Sequence, residues 1–218
     1  MKDAQAATTF DPDCRRCPRL AAFLTQSAQQ YPRYHCRPVP SFGEERPRLL
    51  VVGLAPGFHG ANATGRPFTG DYAGVLLYET LHAYGFASAA VSRSVDDGLQ
   101  LHQCRITNAV RCVPPKNKPT AAEVGNCNPY LRGELDAVSR SGVVLALGTI
   151  AHRAIVAALG LRQRDVVFGH AAGHRLAQGL TLLDSYHCSR YNTQTRRLTG
   201  EMFRDVVGHA RELVGADS

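Results

Sequence analysis

Tryptophan is absent from the 218 residues, methionine occurs only twice, and lysine is confined to Lys2, Lys116 and Lys118. With aromatic residues at 7%, a repeated stacking platform for single-stranded nucleic acid is disfavoured. No run is apolar enough to span a bilayer, and no apolar leader precedes Cys14, so the expected setting is the cytoplasm, with no membrane partner. No internal repeat or low-complexity segment interrupts the chain. The shortage of lysine leaves the formal net charge of +7 to arginine. Such an excess suits a phosphate-rich partner, although solvated arginines from a general compositional bias would give the same number.

A hydrophobic content of 44% supports one substantial core, so residues 1–218 read as a single domain with a polar, frayed end over 1–13. Leu49 to Gly53, Cys104 to Val110, Gly142 to Gly148 and Leu180 to Ser185 read as strands: apolar runs, most of them leading into turn or polar residues. Helices are expected over Arg16–Gln29, Asp71–Tyr84, Thr120–Val138, Thr149–Leu159 and Glu201–Val214. Thr120 followed by Glu123 is a capping-box signature. Strands alternating with helices imply a parallel sheet with right-handed crossovers, an α/β sandwich.

Seven cysteines are present, and four of them form a split pattern: Cys14-x-x-Cys17, then Cys112 and Cys127 with fourteen residues between. In a reducing compartment such a framework holds metal more often than disulfides, and thiolates at this spacing suit either zinc or an iron-sulfur cluster. Cys36 and Cys104 read as small buried hydrophobes.

In an open parallel sheet the ligand crevice lies beyond the carboxyl ends of the strands. Those ends are polar here: Gly53 to Gly57 and a long loop to Asp71 after the first, Thr107-Asn108 in the second, Gly148-Thr149 after the third, Tyr186 to Ser189 after the fourth. Asp71, Asn108 and His187 are therefore the residues that topology could bring to one pocket. Each has a plainer reading. Asp71 stands where a helix N-cap would, Asn108 could close a turn, and a lone histidine is more often structural. His170 and His174 read as surface-loop residues.

Taken together, Gly53 to Gly60, Gly65 to Asp71, Thr107 to Pro115, and His187-x-Ser189 with Asn192-Thr193 and Arg197 to Thr199 resemble the type B (family 5) uracil-DNA glycosylases, in chain order from Cys14 to Thr199. The resemblance implies a three-layer sandwich with a central four-stranded parallel sheet flanked by helices, and a monomer acting on DNA that contains uracil or other deaminated bases. It implies a structural [4Fe-4S] cluster on Cys14, Cys17, Cys112 and Cys127, with zinc the weaker alternative. Asp71 would orient water or stabilise a cationic sugar, His187 would donate to the departing base, and Asn108 would read the base edge. Gly53, Ala55, Gly57, Phe58, His59 and Phe68 would surround the base, with Phe68 stacked on it. Ser189, Arg190, Tyr191, Asn192, Arg196 and Arg197 would form the DNA-gripping loop. Leu54, where type A relatives carry an acid, points to a pocket open to hypoxanthine as well as uracil. Cys188 replaces the proline usual after the motif histidine. The rival expectation is an iron-sulfur redox sensor that binds DNA and cuts no bond.

Overall fold

The computed structural model describes residues 9–176 and 179–215. Six strands follow one another along the chain: β1 (Phe42–Gly43), β2 (Leu49–Gly53), β3 (Cys104–Asn108), β4 (Val143–Leu147), β5 (Gly173–Arg175) and β6 (Thr181–Ser185). Between and around them lie α1 (Pro18–Gln30), α2 (Ala61–Thr64), α3 (Tyr72–Ala83), α4 (Ala121–Ala137), α5 (Thr149–Ala158), α6 (Arg190–Gln194) and α7 (Gly200–Gly215). The spatial order of strands is β1-β3-β2-β4-β6-β5. The four central strands pair in parallel, as expected. The sheet as a whole is six-stranded and mixed, because β1 and β5 add antiparallel edges. Those edges are two and three residues long, too short and too polar to leave an alternating pattern.

Every residue of β2 and β4 is buried, because helices cover both faces and alternate side chains enter opposite layers. Leu49 and Val51 pack with Leu77 and Leu81 of α3 and Phe203 of α7. Leu50 and Val52 face the other way, against Leu131 of α4 and Ile155 of α5. Among the described residues no helix is long and apolar enough to cross a membrane.

The capping box forms as read: the Thr120 hydroxyl accepts from the Glu123 N–H at 3.3 Å, and Glu123 accepts from the Thr120 N–H at 2.8 Å. The same carboxylate takes two bonds from Arg19 on α1, at 2.7 and 2.6 Å, so one residue caps a helix and clasps another. Residues 1–8 of the expected frayed end lie outside the described residues. Of residues 9–13, Phe10 is half-buried, edge-on to Tyr130 at 6.0 Å, and the others are exposed, Asp13 pairing with Arg37.

Glu134 on α4 is buried with three partners: Arg105, Ser41, and Arg111 at 2.8 Å. Burial alone would raise its pKa, but the two guanidinium charges hold it below the usual carboxylate range. Glu134→Gln should cost about 3 kcal/mol in urea unfolding, since it leaves buried arginine charge without its counterion; an unchanged midpoint would show that solvent reaches the network.

Candidate active site

Parallel pairing places Gly53 opposite Asn108 and Leu147 opposite Ser185, so the carboxyl ends of the central strands stand level. From β2 the chain passes to β3 on one side, then crosses to β4 on the other, which opens a crevice at the switch point. A cavity of about 470 Å³ fills that crevice, and Asp71, Asn108 and His187 all line it. Three candidates carried by three different segments at the strand ends thus meet in one hollow.

Asp71 occupies the N-cap position of α3, yet its side chain makes no capping bond. Its carboxylate turns instead to the loop after β2, accepting backbone N–H bonds from Ala61 at 3.3 Å and from Gly57. A Cβ on either Gly57 or Gly60 would overlap the Asp71 carboxyl group. The glycines of this loop are therefore the seat of the acid. Burial raises the Asp71 pKa above the ordinary 3.8, and the two backbone donors offset this only in part.

Asn108 closes β3 and is 3% exposed. Among the described residues nothing hydrogen-bonds its side chain, which leaves the amide for a ligand in the cavity. Phe68 is buried beside it with a φ of 57°, a left-handed conformation that is costly for an aromatic residue and persists only where packing over-determines it. Two contacts hold it: the Tyr78 hydroxyl donates to the Pro67 carbonyl at 2.8 Å, and Gly74 has no Cβ to strike the Phe68 carbonyl. The Phe68 ring lies 6.1 Å from the His187 ring at 26° between planes. Burial pushes the His187 pKa down to about 4, so its imidazole is neutral near pH 7.

The mouth is basic and partly aromatic. Ser189 caps α6 through the Asn192 N–H at 3.4 Å, and the Asn192 amide donates to the His187 carbonyl at 2.8 Å, tying the loop to the His187 backbone. Arg190 lies over Tyr72 at 4.9 Å and Arg197 over Tyr186 at 4.6 Å; both arginines line the cavity. Tyr191 projects from the loop with 70% of its surface exposed, and Arg196 is likewise exposed. The segment reads as polar loop in the sequence but contains the short helix α6.

Three expected pocket residues stand elsewhere. Gly53 is buried within β2, beneath the cavity wall. Phe58 and His59 join Tyr31 and Tyr34 in an aromatic group on the loop, where Tyr34 and His59 are hydrogen-bonded at 2.9 Å. Their side chains pack against the segment after α1, which removes them from the cavity wall. Conversely, Tyr186 and Phe168 line the cavity although neither was given a role. Tyr186 follows a strand end, where the topological rule had already pointed; Phe168 comes from an irregular segment with no such signal.

Behind Ala55, which lines the first cavity and packs against this group as well, Cys14, Cys17, Cys112 and Cys127 line a second cavity. Leu20, Val110 and Tyr130 pack around them. Cys127 accepts the Arg111 N–H at 3.3 Å, and Asn126 reaches Cys17 at 3.6 Å. Burial and then the neighbouring thiols raise Cys112 to about 12, so thiolates there require a cation among them. Cys36, Cys104 and Cys188 are buried separately; the first two behave as the small hydrophobes expected.

An α/β sandwich that gathers an acid, an amide and a neutral imidazole at its switch point belongs to the class of enzymes that enclose a small planar group and hydrolyse a bond beside it. The model for the uracil DNA glycosylase superfamily matches residues 40–211. The chain is 47% identical over 207 residues to the type-5 uracil-DNA glycosylase of Thermus thermophilus, covering 93% of this chain and 94% of that protein. It is 43% identical to that of Mycobacterium leprae (93% and 92% covered) and 42% identical to that of Pyrobaculum aerophilum (93% and 90% covered). The chain belongs to the uracil DNA glycosylase superfamily.

The seat of Asp71 predicts a trade between stability and chemistry. A carboxyl group whose pKa rises on folding binds its proton more tightly in the native state, so stability is lost as pH rises through the folded value. Asp71→Asn should unfold at a higher urea concentration than wild type at pH 7, with the gap closing as pH falls towards the ordinary carboxylate range. Equal midpoints throughout would mean that water solvates the carboxylate.

Proposed function

We propose that this protein is a monofunctional DNA glycosylase that takes uracil out of the helix and hydrolyses its N-glycosidic bond. The convergence of Asp71, Asn108 and His187 on one cavity is the observation that carries the reading. A base inside a duplex is out of reach, so the nucleotide must be extruded into such a hollow, at a cost of a few kcal/mol of unstacking. Phe68 offers a wall for the base face, and the free amide of Asn108 offers both a donor and an acceptor to its edge.

Breaking the bond leaves positive charge on the sugar and negative charge on the base. Water adds to C1′ as the glycosidic electron pair leaves with the base nitrogen, and the water's proton passes towards Asp71. The desolvated carboxylate stabilises the cationic sugar more strongly than a solvated one would. His187, neutral at working pH, donates an N–H to the base oxygen without first losing a proton to solvent. Among the described residues no lysine lines the cavity, which supports hydrolysis to an abasic site without an imine intermediate. The cavity volume and the apolar Leu54 and Ala55 in its wall support acceptance of purine bases such as hypoxanthine beside uracil.

The four thiols support a [4Fe-4S] cluster. They line one cavity, and four cysteine thiolates are the ligand set that such a cluster takes. Bound there, the cluster would supply folding free energy and pin α1 to α4 rather than act in the cleavage.

Alkali treatment of a labelled duplex carrying one uracil should give a single strand break after incubation with the protein. Binding without any break would leave a non-catalytic DNA sensor as the better description. Asp71→Ala should lower base release by about 10²–10³-fold while DNA binding persists. His187→Ala should slow release by about 10²-fold at saturating DNA; a defect in affinity alone would remove the donor role. Below neutrality the rate should hold until Asp71 takes up its proton, and fall as pH drops through its raised pKa. Purified protein should be brown with absorption near about 400 nm, and Cys127→Ser should yield little folded protein; colourless protein with one equivalent of zinc would replace the cluster assignment.

A further inference from the structure

Behind the cavity wall stands a buried pair outside the reacting group, His152 of α5 and Asp184 of β6, 1% and 0% exposed. His152 Nδ1 lies 2.8 Å from the Asp184 carboxylate, and Nε2 lies 2.9 Å from the Val166 carbonyl oxygen. Each partner atom is an acceptor, whereas a neutral imidazole has only one N–H to give. Both bonds exist only if the pair keeps an extra proton, as imidazolium facing carboxylate. Burial works against that charge, but the bonds to Asp184 and Val166 outweigh it and leave the His152 pKa raised above 6.5.

The segment these bonds hold is part of the site. Val166 begins it, Phe168 lines the cavity, and the Gly169 N–H donates to Asp184 at 3.4 Å. The Ala171 N–H donates to the Asp184 carbonyl at 2.8 Å. His170, expected on the surface, accepts the Tyr186 N–H at 3.2 Å and stacks on that ring at 4.9 Å. The other groups facing the pair are the Phe168 ring at 5.6 Å from His152, the His174 ring at 6.1 Å, and Arg153 on the same helix, whose charge opposes protonation. His174 Nε2 is 3.7 Å from Asp184 and makes no hydrogen bond among the described residues.

We propose that His152 is a positioning residue for base cleavage: the proton it shares with Asp184 clamps residues 166–172, and with them Phe168 and the Tyr186 stack, as the cavity wall. The consequence for activity rests on the glycosylase reading; the clamp itself does not. A histidine whose pKa rises on folding contributes stability below its unfolded value and loses it as pH climbs through the folded one. The wall should therefore loosen in alkali.

Nitrogen-15 NMR of wild-type protein at pH 7 should show both His152 ring nitrogens carrying hydrogen; a neutral single tautomer would overturn the proposal without any variant. Amide exchange at Gly169 and Ala171, corrected for intrinsic rate and compared with Leu182 in the sheet, should lose about tenfold protection between about pH 6 and about pH 9. In His152→Gln that dependence should vanish and protection stay low throughout; an identical pH response in the variant would also overturn it. Single-turnover uracil release should fall about tenfold over the same range in wild type and stay flat in His152→Gln. Protein that releases no uracil at any pH would refute the glycosylase reading while the NMR result still decided the clamp.

Discussion

Level parallel pairing is the constraint on which the site depends. Four strands end at one height because β2, β3, β4 and β6 keep register residue by residue, and the segment leaving each strand is forced into the same crevice. A slip of one residue would turn every side chain of a strand to the opposite layer, exchanging Leu49 and Val51 with Leu50 and Val52. Burial on both faces thus fixes the positions of Asn108 and His187 before any contact between them is made.

Within that frame the acid is held by absence of bulk. Asp71 gives up capping, the ordinary use of an aspartate at a helix start, and lies against two glycines in a partly desolvated seat. The strained φ of Phe68 belongs to the same loop. Local rules of stability are broken at Phe68 and Asp71 together, where proteins place residues for chemistry rather than for folding.

The chain announces its sheet centre and most of its site openly. Apolar runs located all four parallel strands to within two residues, since a strand buried on both faces has nothing polar to blur it. The rule that ligands sit beyond strand ends singled out Asp71, Asn108 and His187. The edge strands β1 and β5 escaped because two or three residues cannot display a period, and their pairing is decided by neighbours distant in sequence. Phe58 and His59 were misplaced for a related reason: they share the motif with Gly57, but the direction of their side chains is set by Tyr31 and Tyr34 across the loop. The second duty of Glu123, towards Arg19, likewise has no local signature.

The clasp between Arg19 and Glu123 joins residues 104 positions apart. Because α1 finds its carboxylate only on a helix that begins at Ala121, α1 leaves the ribosome well before its partner does. The 104 positions that separate the pair must emerge before α1 can make this contact. During that interval its apolar face and the paired thiols beside it stay open to solvent. Long-range pairing, rather than helix propensity, then decides when α1 becomes protected.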